Sequence, residues 1–212
     1  LETVGDIDFI VASKDPEPIM EWFVNLDEVK EISAKGLTKS SVRFKNGVQA
    51  DLRIVQINSF VFALHHFTGS KEHNVLLRHR ALSMGFRLSE WGVFNKNGAT
   101  DFLAKGAEAI ETEADLFKFF KLSMIEPELR EGFGEISLAQ KGVLPKLIEP
   151  CQIKGVFHNH TTLSDGTDTL EAMVGKAELL GWEYIGFADH SKASFQANGL
   201  DESSVLSMID KI

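Results

Sequence analysis

The sequence predicts an α+β fold for the larger, N-terminal part of the chain and alternating strands and helices for the C-terminal part. Residues 41–55 alternate apolar and polar side chains on both sides of Asn46-Gly47, which is typical of an antiparallel hairpin. Residues 153–212 are predicted to form a strand, a helix, a second strand and a second helix. This order favours parallel strands joined by a crossover helix.

The N-terminal elements follow from apolar spacing and from prolines. Residues 4–11 alternate acidic and apolar side chains and then become apolar, which predicts a largely buried strand. Pro16 and Pro18 precede a helix predicted from Ile19 to Asn25. In the hairpin that follows, Asn46-Gly47 predicts a type I′ turn.

The middle of the chain is predicted to be mainly helical. A helix from Ser59 to Leu64 is followed by a break at Thr68-Gly69-Ser70. Thr112 and Asp115 form a capping-type start for a later helix. The remaining predicted elements are a helix at 72–85, a short strand at 88–94, a helix at 112–122, a connector containing Pro127, Pro145 and Pro150, strands at 153–161 and 184–190, and helices at 169–180 and 202–212.

Composition excludes several classes of protein. The chain has 212 residues, of which 43% are apolar and 25% charged, and no apolar run is long enough to span a membrane. The first residues lack the features of a signal peptide, so we expect a cytoplasmic protein without a membrane partner. The single cysteine, Cys151, cannot form an internal disulfide, so any metal would be held by His, Asp or Glu.

The net charge of −9 is distributed unevenly. Residues 1–35 carry −6, residues 36–87 carry +6 and residues 88–212 carry −9. A basic segment of this kind can face an anionic partner such as nucleic acid, although the whole chain is acidic.

Three acidic residues form the first candidate site. Asp6 and Asp8 are two apart on a predicted strand, so both carboxylates leave the same face about 6.5 Å apart. Asp51 is the single acid on the polar face of the hairpin's returning strand. An acidic strand edge in water is the alternative interpretation. Three carboxylates on adjacent strands can instead hold two Mg²⁺ ions for phosphoryl chemistry.

Histidines and aspartates near the C-terminus form the second candidate site. His158 and His160 are predicted to share one face near the end of a strand, and Asp165 follows in a loop. Asp189 and His190 end the next strand. In a parallel barrel the carboxyl ends of the strands face the active site, which favours a metal site over isolated surface histidines.

Several motifs in the first 131 residues resemble the palm and thumb of a family X DNA polymerase, the DNA polymerase beta group. The similar segments, in order, are Gly5-Asp6-Ile7-Asp8-Phe9-Ile10-Val11, Ala50-Asp51-Leu52-Arg53-Ile54-Val55, Phe67-Thr68-Gly69-Ser70-Lys71-Glu72-His73-Asn74 with Arg78, Leu88-Ser89-Glu90-Trp91-Gly92, and Thr112-Glu113-Ala114-Asp115-Leu116-Phe117. The resemblance implies an α+β nucleotidyltransferase that acts on gapped or nicked duplex DNA with a dNTP.

This resemblance also implies roles for individual residues. Asp6, Asp8 and Asp51 would be the catalytic carboxylates that bind Mg²⁺ or Mn²⁺. The nucleotide- and DNA-binding residues would be Phe67, Gly69, Ser70, Lys71, Asn74, Arg78 and Glu90. Among these, Asn74 would contact a base edge in the minor groove, Arg78 would contact the template strand, and the Thr68-Gly69-Ser70 turn would lie beside the incoming sugar.

The run Phe157-His158-Asn159-His160-Thr161-Thr162-Leu163-Ser164-Asp165-Gly166, with Ala188-Asp189-His190-Ser191, resembles the PHP domain, a metal-dependent phosphoesterase (β/α) barrel. By this resemblance His158, His160, Asp165 and His190 would be ligands of Mn²⁺ or Zn²⁺. Asp189 would hydrogen-bond a ligand histidine. A polymerase core followed by a PHP domain implies gap-filling DNA repair with an appended 3′ to 5′ exonuclease.

The resemblance implies four regions: residues 1–58 from the palm, 59–135 as the thumb, 136–150 as a linker and 151–212 as the first strand-helix units of the PHP barrel. The triphosphate-binding Gly-Ser-x-Arg-Arg segment is expected upstream of the first palm strand, and further barrel ligands are expected downstream. We therefore expect the chain to be a piece of a larger protein, with little polymerase or nuclease activity by itself.

Two other functions compete with this hypothesis. The first is a PHP phosphoesterase of the histidinol-phosphatase kind, in which the polymerase part is a degenerate scaffold. The second is a DNA-binding module without catalysis, in which the basic middle segment holds a nicked or gapped duplex.

Overall fold

The protein is described by a computed structural model that covers residues 5–98 and 103–210. The chain divides into two compact units, Leu1–Pro145 and Lys146–Ile212. The parts of the predictions that concern residues 4 and 211–212 lie outside the described residues.

The first unit begins with a four-stranded mixed sheet in the order β1-β4-β3-β2. Its strands are β1 (Asp6–Ala12), β2 (Val29–Lys35), β3 (Lys39–Phe44) and β4 (Gln49–Val55). Strand β1 is parallel to β4, and the other neighbours are antiparallel. The sequence did not predict β2, because its side chains are almost all exposed and its register with β3 shifts twice.

The hairpin formed by β3 and β4 is confirmed, but the predicted turn type is wrong. Residues 45–47 form a three-residue loop, in which the amide of Gly47 donates to the carbonyl of Phe44 at 2.9 Å. Gly47 has φ +89°, whereas Asn46 does not have a positive φ. A type I turn followed by a left-handed glycine is the usual form of a three-residue hairpin loop.

One face of the sheet is buried by helix α1 (Glu17–Val24). Met20, Phe23 and Val24 pack against the sheet. The sheet residues in this core are Val42, Ala50, Leu52 and Ile54. Strand β1 was predicted to be largely buried, yet residues 6–9 are exposed because β1 is the edge strand of the described sheet.

The rest of the first unit packs around a separate, mainly helical core. Its elements are α2 (Phe60–Thr68), α3 (Lys71–Ser83), β5 (Phe86–Ser89), β6 (Gly92–Asn95), α4 (Glu113–Phe119) and α5 (Glu135–Lys141). Phe62, Leu77 and Phe117 are among its fully buried side chains. The reciprocal cap predicted at the start of α4 is confirmed, with Thr112 Oγ1 accepting from the Asp115 amide at 3.1 Å.

One prediction in this region is corrected, and one predicted linker contains a helix. The single strand predicted at 88–94 is a hairpin of β5 and β6, and the chain reverses at Glu90-Trp91, directly before Gly92. The predicted linker 136–150 contains most of α5, which begins at Glu135. Glu135 and Ala139 are buried on that helix, so burial of one face stabilises it despite the surrounding prolines.

The second unit contains β7 (Gly155–Asn159), α6 (Leu170–Leu179), β8 (Tyr184–Phe187) and α7 (Glu202–Ile209). Strands β7 and β8 are parallel, as the sequence predicts. Both strands end earlier than predicted, so His160 and His190 lie in loops after the strands. Across residues 5–98 and 103–210, none of the helices combines the length and apolarity that a membrane span requires.

Candidate catalytic and DNA-binding site

The three acidic residues lie on the two neighbouring parallel strands β1 and β4. Asp8 is directly opposite Asp51 in the register of these strands, and Asp6 lies two residues earlier on β1. Opposite residues of neighbouring strands project from the same face, so the sheet directs all three carboxylates to one side. The opposite side carries the core beneath α1.

Asp51 is bound to a basic side chain that the sequence analysis did not include. Lys39 Nζ lies 2.7 Å from Asp51 Oδ2, and only 14% of the Asp51 side chain is exposed. Burial favours the neutral acid, but hydrogen bonds from Lys39, Ser41 and Gln49 outweigh burial and lower the pKa of Asp51. Asp51 is therefore ionised at neutral pH and partly neutralised by Lys39.

Asp8 has the opposite shift. Burial, followed by the negative charges of Asp6 and Asp51, raises the pKa of Asp8 above its ordinary value. A divalent cation between these groups would remove this repulsion, and carboxylate oxygens are the ligands that Mg²⁺ and Mn²⁺ prefer. The carboxylate oxygens of the three residues are thus suitable ligands for a hard divalent metal ion. Their oxygens do not meet within 4.8 Å in the described part of the chain.

The predicted nucleotide- and DNA-binding residues are concentrated where α2 ends and α3 begins. The peptide bond between Gly69 and Ser70 is cis, and Gly69 has φ +71°. Ser70 caps α3, because its hydroxyl accepts from the amide of His73 at 3.2 Å. Lys71 is exposed in the first turn of α3.

Two of these residues are held by the backbone and side chain of His66. Asn74 is buried, and its Nδ2 donates to the His66 carbonyl at 2.7 Å. Arg78 Nη2 donates to His66 Nδ1 at 3.1 Å. Burial lowers the pKa of His66 despite the nearby Glu90 carboxylate, so His66 is a neutral acceptor for Arg78 at neutral pH.

Phe67 is linked to the acidic sheet through Arg53. The Arg53 guanidinium lies 4.7 Å from the centre of the Phe67 ring, which is a cation–π contact. Arg53 is two residues after Asp51 on β4. Strand β4 therefore carries both Asp51 and the arginine that contacts Phe67.

A buried polar network beneath this region was missed by the sequence analysis. The guanidinium of Arg130 is fully buried and donates to Glu113 Oε1 at 2.6 Å and to the Ile125 carbonyl at 3.0 and 2.9 Å. His65 Nδ1 lies 3.3 Å from the same Glu113 oxygen. Burial alone favours the neutral acid, but hydrogen bonds from His65 and Arg130 lower the pKa of Glu113 to about 2.

We expect this network to make the first unit less stable in mild acid. The same core holds His73, which is paired with Glu135. Burial lowers the pKa of His65 and of His73 more than the carboxylates of Glu113 and Glu135 raise it. The unfolded chain binds protons at these histidines below about pH 6.5, whereas the folded chain does so only at lower pH, so the free energy of unfolding decreases as pH falls through this range.

The measurement is the urea midpoint of unfolding at pH 7.5, 6.5 and 5.5. The His65→Gln/His73→Gln double variant should have a smaller pH dependence, while His79→Gln, at an exposed position, should retain it. The stability contributed by Glu113 is lost only below about pH 4.5 and does not affect this window. An unchanged or rising midpoint in acid would contradict the expectation.

The histidine cluster of the second unit forms after the ends of β7 and β8. His160, Asp165 and His190 offer ligand atoms that all lie within 4.8 Å of one another. No other set of three His, Cys, Asp or Glu residues is so close among residues 5–98 and 103–210. His160 Nδ1 is buried without a hydrogen-bond partner and lies 3.4 Å from Asp165 Oδ1. Two imidazoles and one carboxylate, with one imidazole nitrogen still unpaired, are a ligand set that fits a transition metal or Zn²⁺.

His158 lies beside this cluster but is not part of it. Its ring centre is 5.1 Å from that of His160, which is 4.7 Å from that of His190. His158 has φ +65°, and the register between β7 and β8 shifts between Val156 and Asn159. His158 and His160 were predicted to share a face because side chains alternate along a regular strand. The strand is irregular here, so that prediction does not hold.

Asp189 binds the loop between β7 and α6 and not a histidine. It accepts from the amide and hydroxyl of Thr161 at 2.7 and 2.8 Å and from the Ser164 hydroxyl at 2.5 Å. Burial opposes ionisation, but these hydrogen bonds lower the pKa of Asp189. Asp189 therefore positions the loop that precedes Asp165.

The acidic mixed sheet and the helical segment that follows it have the polymerase beta-like α+β fold. Residues 63–131 match the family described as DNA polymerase beta thumb. The chain is 36% identical over 202 residues to DNA polymerase/3′-5′ exonuclease PolX of Bacillus subtilis (strain 168). This match covers 94% of the chain and 34% of the relative, so the chain spans about a third of the length of that protein. Residues 63–131 therefore belong to the polymerase beta thumb family, and the chain as a whole resembles a family X polymerase.

Two solved structures of Leishmania infantum polymerase beta are also similar to the chain. The ternary P/T complex has 23% identity and a TM-score of 0.47, and the match covers 60% of this chain and 62% of the other. The ternary gap complex has 21% identity and a TM-score of 0.47, with 59% and 57% covered.

Proposed function

We propose that residues 1–135 are palm and thumb parts of a gap-filling DNA polymerase that transfers a nucleotide from a dNTP to a primer 3′-hydroxyl. The observation that carries this proposal is the register of β1 and β4, which sets Asp8 opposite Asp51 beside Asp6. The similarity to PolX and to the polymerase beta thumb supports the same reaction.

Each residue has a defined task in this reaction. Asp6, Asp8 and Asp51 would hold Mg²⁺ or Mn²⁺. Such ions, when bound, activate the attacking hydroxyl and stabilise the leaving phosphate.

The turn and helix after the sheet would bind the other substrates. Gly69 and Ser70 would lie against the incoming nucleotide, and Lys71 and Arg78 would contact the duplex. Asn74 retains its amide oxygen for a base edge, since its Nδ2 is already bound to His66. Phe67, held by Arg53, would lie beside the sugar.

The second unit is proposed to be part of a PHP-type phosphoesterase with 3′ to 5′ exonuclease activity. His160, Asp165 and His190 would hold Mn²⁺ or Zn²⁺, with His158 adjacent. The support for this proposal is their convergence after two parallel strands, and the name of the Bacillus relative includes an exonuclease.

The test is gap filling by the longest natural protein that contains this chain. A duplex with a one-nucleotide gap, dNTP and Mg²⁺ should give templated extension of the primer by one nucleotide, and a chelator should abolish it. A 5′-labelled single strand with Mn²⁺ should be shortened from its 3′ end, and His190→Ala should prevent shortening. Metal-dependent hydrolysis of a small phosphate ester without any primer extension would contradict the polymerase proposal.

A further inference from the structure

We propose that Glu135 is a positioning residue for the nucleotide- and DNA-binding turn, and that it acts through His73 and Gly132. The proposal rests on the polymerase function given above. It concerns a residue at the start of α5, four positions beyond the segment that matches the polymerase beta thumb.

Residues 130–135, the brace segment, contact the turn and the start of α3 at three points. The carbonyl of Arg130 accepts from the amide of Ser70 at 3.0 Å. Glu135 Oε1 accepts from His73 Nδ1 at 2.8 Å. Within the brace segment, the same oxygen also accepts from the Gly132 amide at 3.2 Å, so Glu135 holds the backbone of this segment as well as His73.

Gly132 forms the third contact by close packing. It has φ +80°, and a Cβ atom added there would lie 2.7 Å from the Cβ atom of Glu72. The backbone of the brace segment therefore lies directly against the first turn of α3. Only glycine allows this approach at this backbone conformation.

Burial makes the Glu135 contact difficult to replace. His73 is fully buried, and Glu135 is 4% exposed. Removing the carboxylate would leave His73 Nδ1 and the Gly132 amide without their partner in a place where water does not easily reach. The start of α3 can then keep its position only if another group satisfies these donors.

The consequence for binding follows from the position of the substrate-binding residues. Ser70, Lys71 and Asn74 lie within four residues of His73. A turn fixed before the substrate arrives loses less conformational freedom on binding than a mobile one. Glu135 would thus increase affinity without touching DNA or nucleotide.

The experiment measures binding of the 212-residue chain to a labelled duplex with a one-nucleotide gap, by fluorescence anisotropy at low ionic strength. Glu135→Ala should lower the affinity about tenfold. Glu135→Gln should stay within about twofold, because its carbonyl oxygen can accept both hydrogen bonds and Glu135 Oε2 has no partner. Glu131→Ala, which removes the same charge from an exposed position within the brace segment, should also stay within about twofold.

A second readout separates positioning from stability. Amide exchange of Ser70 and Asn74 in the free chain should become faster in Glu135→Ala than in Glu135→Gln. Wild-type affinity in folded Glu135→Ala, well below its melting temperature, would overturn the proposal even if that temperature is lower. If Glu135→Ala does not fold, Glu135→Asp should show a several-fold loss of affinity, and wild-type affinity in that variant would overturn the proposal.

Failure of the proposed function gives a different result. If the wild-type chain does not bind the gapped duplex at all, the proposal that this region binds DNA is wrong. The positioning contact is then decided by amide exchange alone: unchanged exchange of Ser70 in Glu135→Ala overturns it, and faster exchange supports it.

Discussion

Replacing Asp51 with asparagine is expected to reduce nucleotide incorporation at a one-nucleotide gap about 1,000-fold, which corresponds to about 4 kcal/mol of transition-state stabilisation. Asp51 lies opposite Asp8 on the neighbouring strand, and its negative charge, with that of Asp6, acts on Asp8. Asparagine has nearly the same shape and can still accept a hydrogen bond from Lys39. It removes the charge that would hold a divalent metal.

The measurement is the single-turnover rate in the longest natural protein that contains this chain, with saturating dNTP and Mg²⁺. Glu31→Gln is a matched control, because it removes one negative charge from an exposed position on β2 of the same sheet. The control should retain the wild-type rate within about twofold. A rate in Asp51→Asn above one-tenth of wild type would contradict the assignment of Asp51.

Replacing Arg130 with methionine is expected to destabilise the core around α2, α3 and α4 by about 3–5 kcal/mol. The guanidinium is fully buried and binds the Ile125 carbonyl twice, Glu113 once and the face of Phe117 at 5.2 Å. Methionine fills part of the volume but satisfies none of these acceptors. The charge of Glu113 then remains without its closest partner.

Native-state amide exchange of Leu77 and Ala81, both buried in α3, reports the unfolding free energy of this core. Arg87→Met is the matched control. Arg87 is exposed and lies 5.8 Å from the Phe94 ring, so its loss should cost no more than about 1 kcal/mol. Equal effects of the two substitutions would mean that the buried network does not stabilise the core.

The alternation of side chains on β4 was enough to identify Asp51 on a polar face, but the turn type decides its partners. A two-residue turn at Asn46-Gly47 would set Val42 opposite Asp51, which mixes the two faces of the hairpin. The three-residue loop instead sets Ser41 opposite Asp51 and brings Lys39 to its carboxylate. Val42 and Ala50 share the apolar face only in this three-residue register, and the same register sets Lys39 on the face of Asp51.

The buried polar network lies beyond local sequence patterns. His65 and Glu113 are 48 residues apart, and His73 and Glu135 are 62 residues apart. The histidines look like part of a basic, exposed segment until the fold pairs them with distant glutamates. Only the tertiary packing of α2, α3, α4 and α5 identifies these residues as internal.

The second unit illustrates an intermediate case. The order of strands and helices was evident from the sequence, and it placed Asp165 and His190 near His160. The displaced position of His158 was not evident, because one positive φ angle and a register shift change its direction. Alternation is a good guide only where the strand is regular.

The most direct test of the polymerase assignment is a crystal structure of the longest natural protein that contains this chain, bound to gapped DNA, a non-hydrolysable dNTP and Mg²⁺. We predict Mg²⁺ at about 2.1 Å from oxygens of Asp6, Asp8 and Asp51, with the nucleotide beside Gly69 and Ser70 and the duplex against Asn74 and Arg78. Mg²⁺ and nucleotide bound elsewhere, with these three carboxylates free in solvent, would contradict the account.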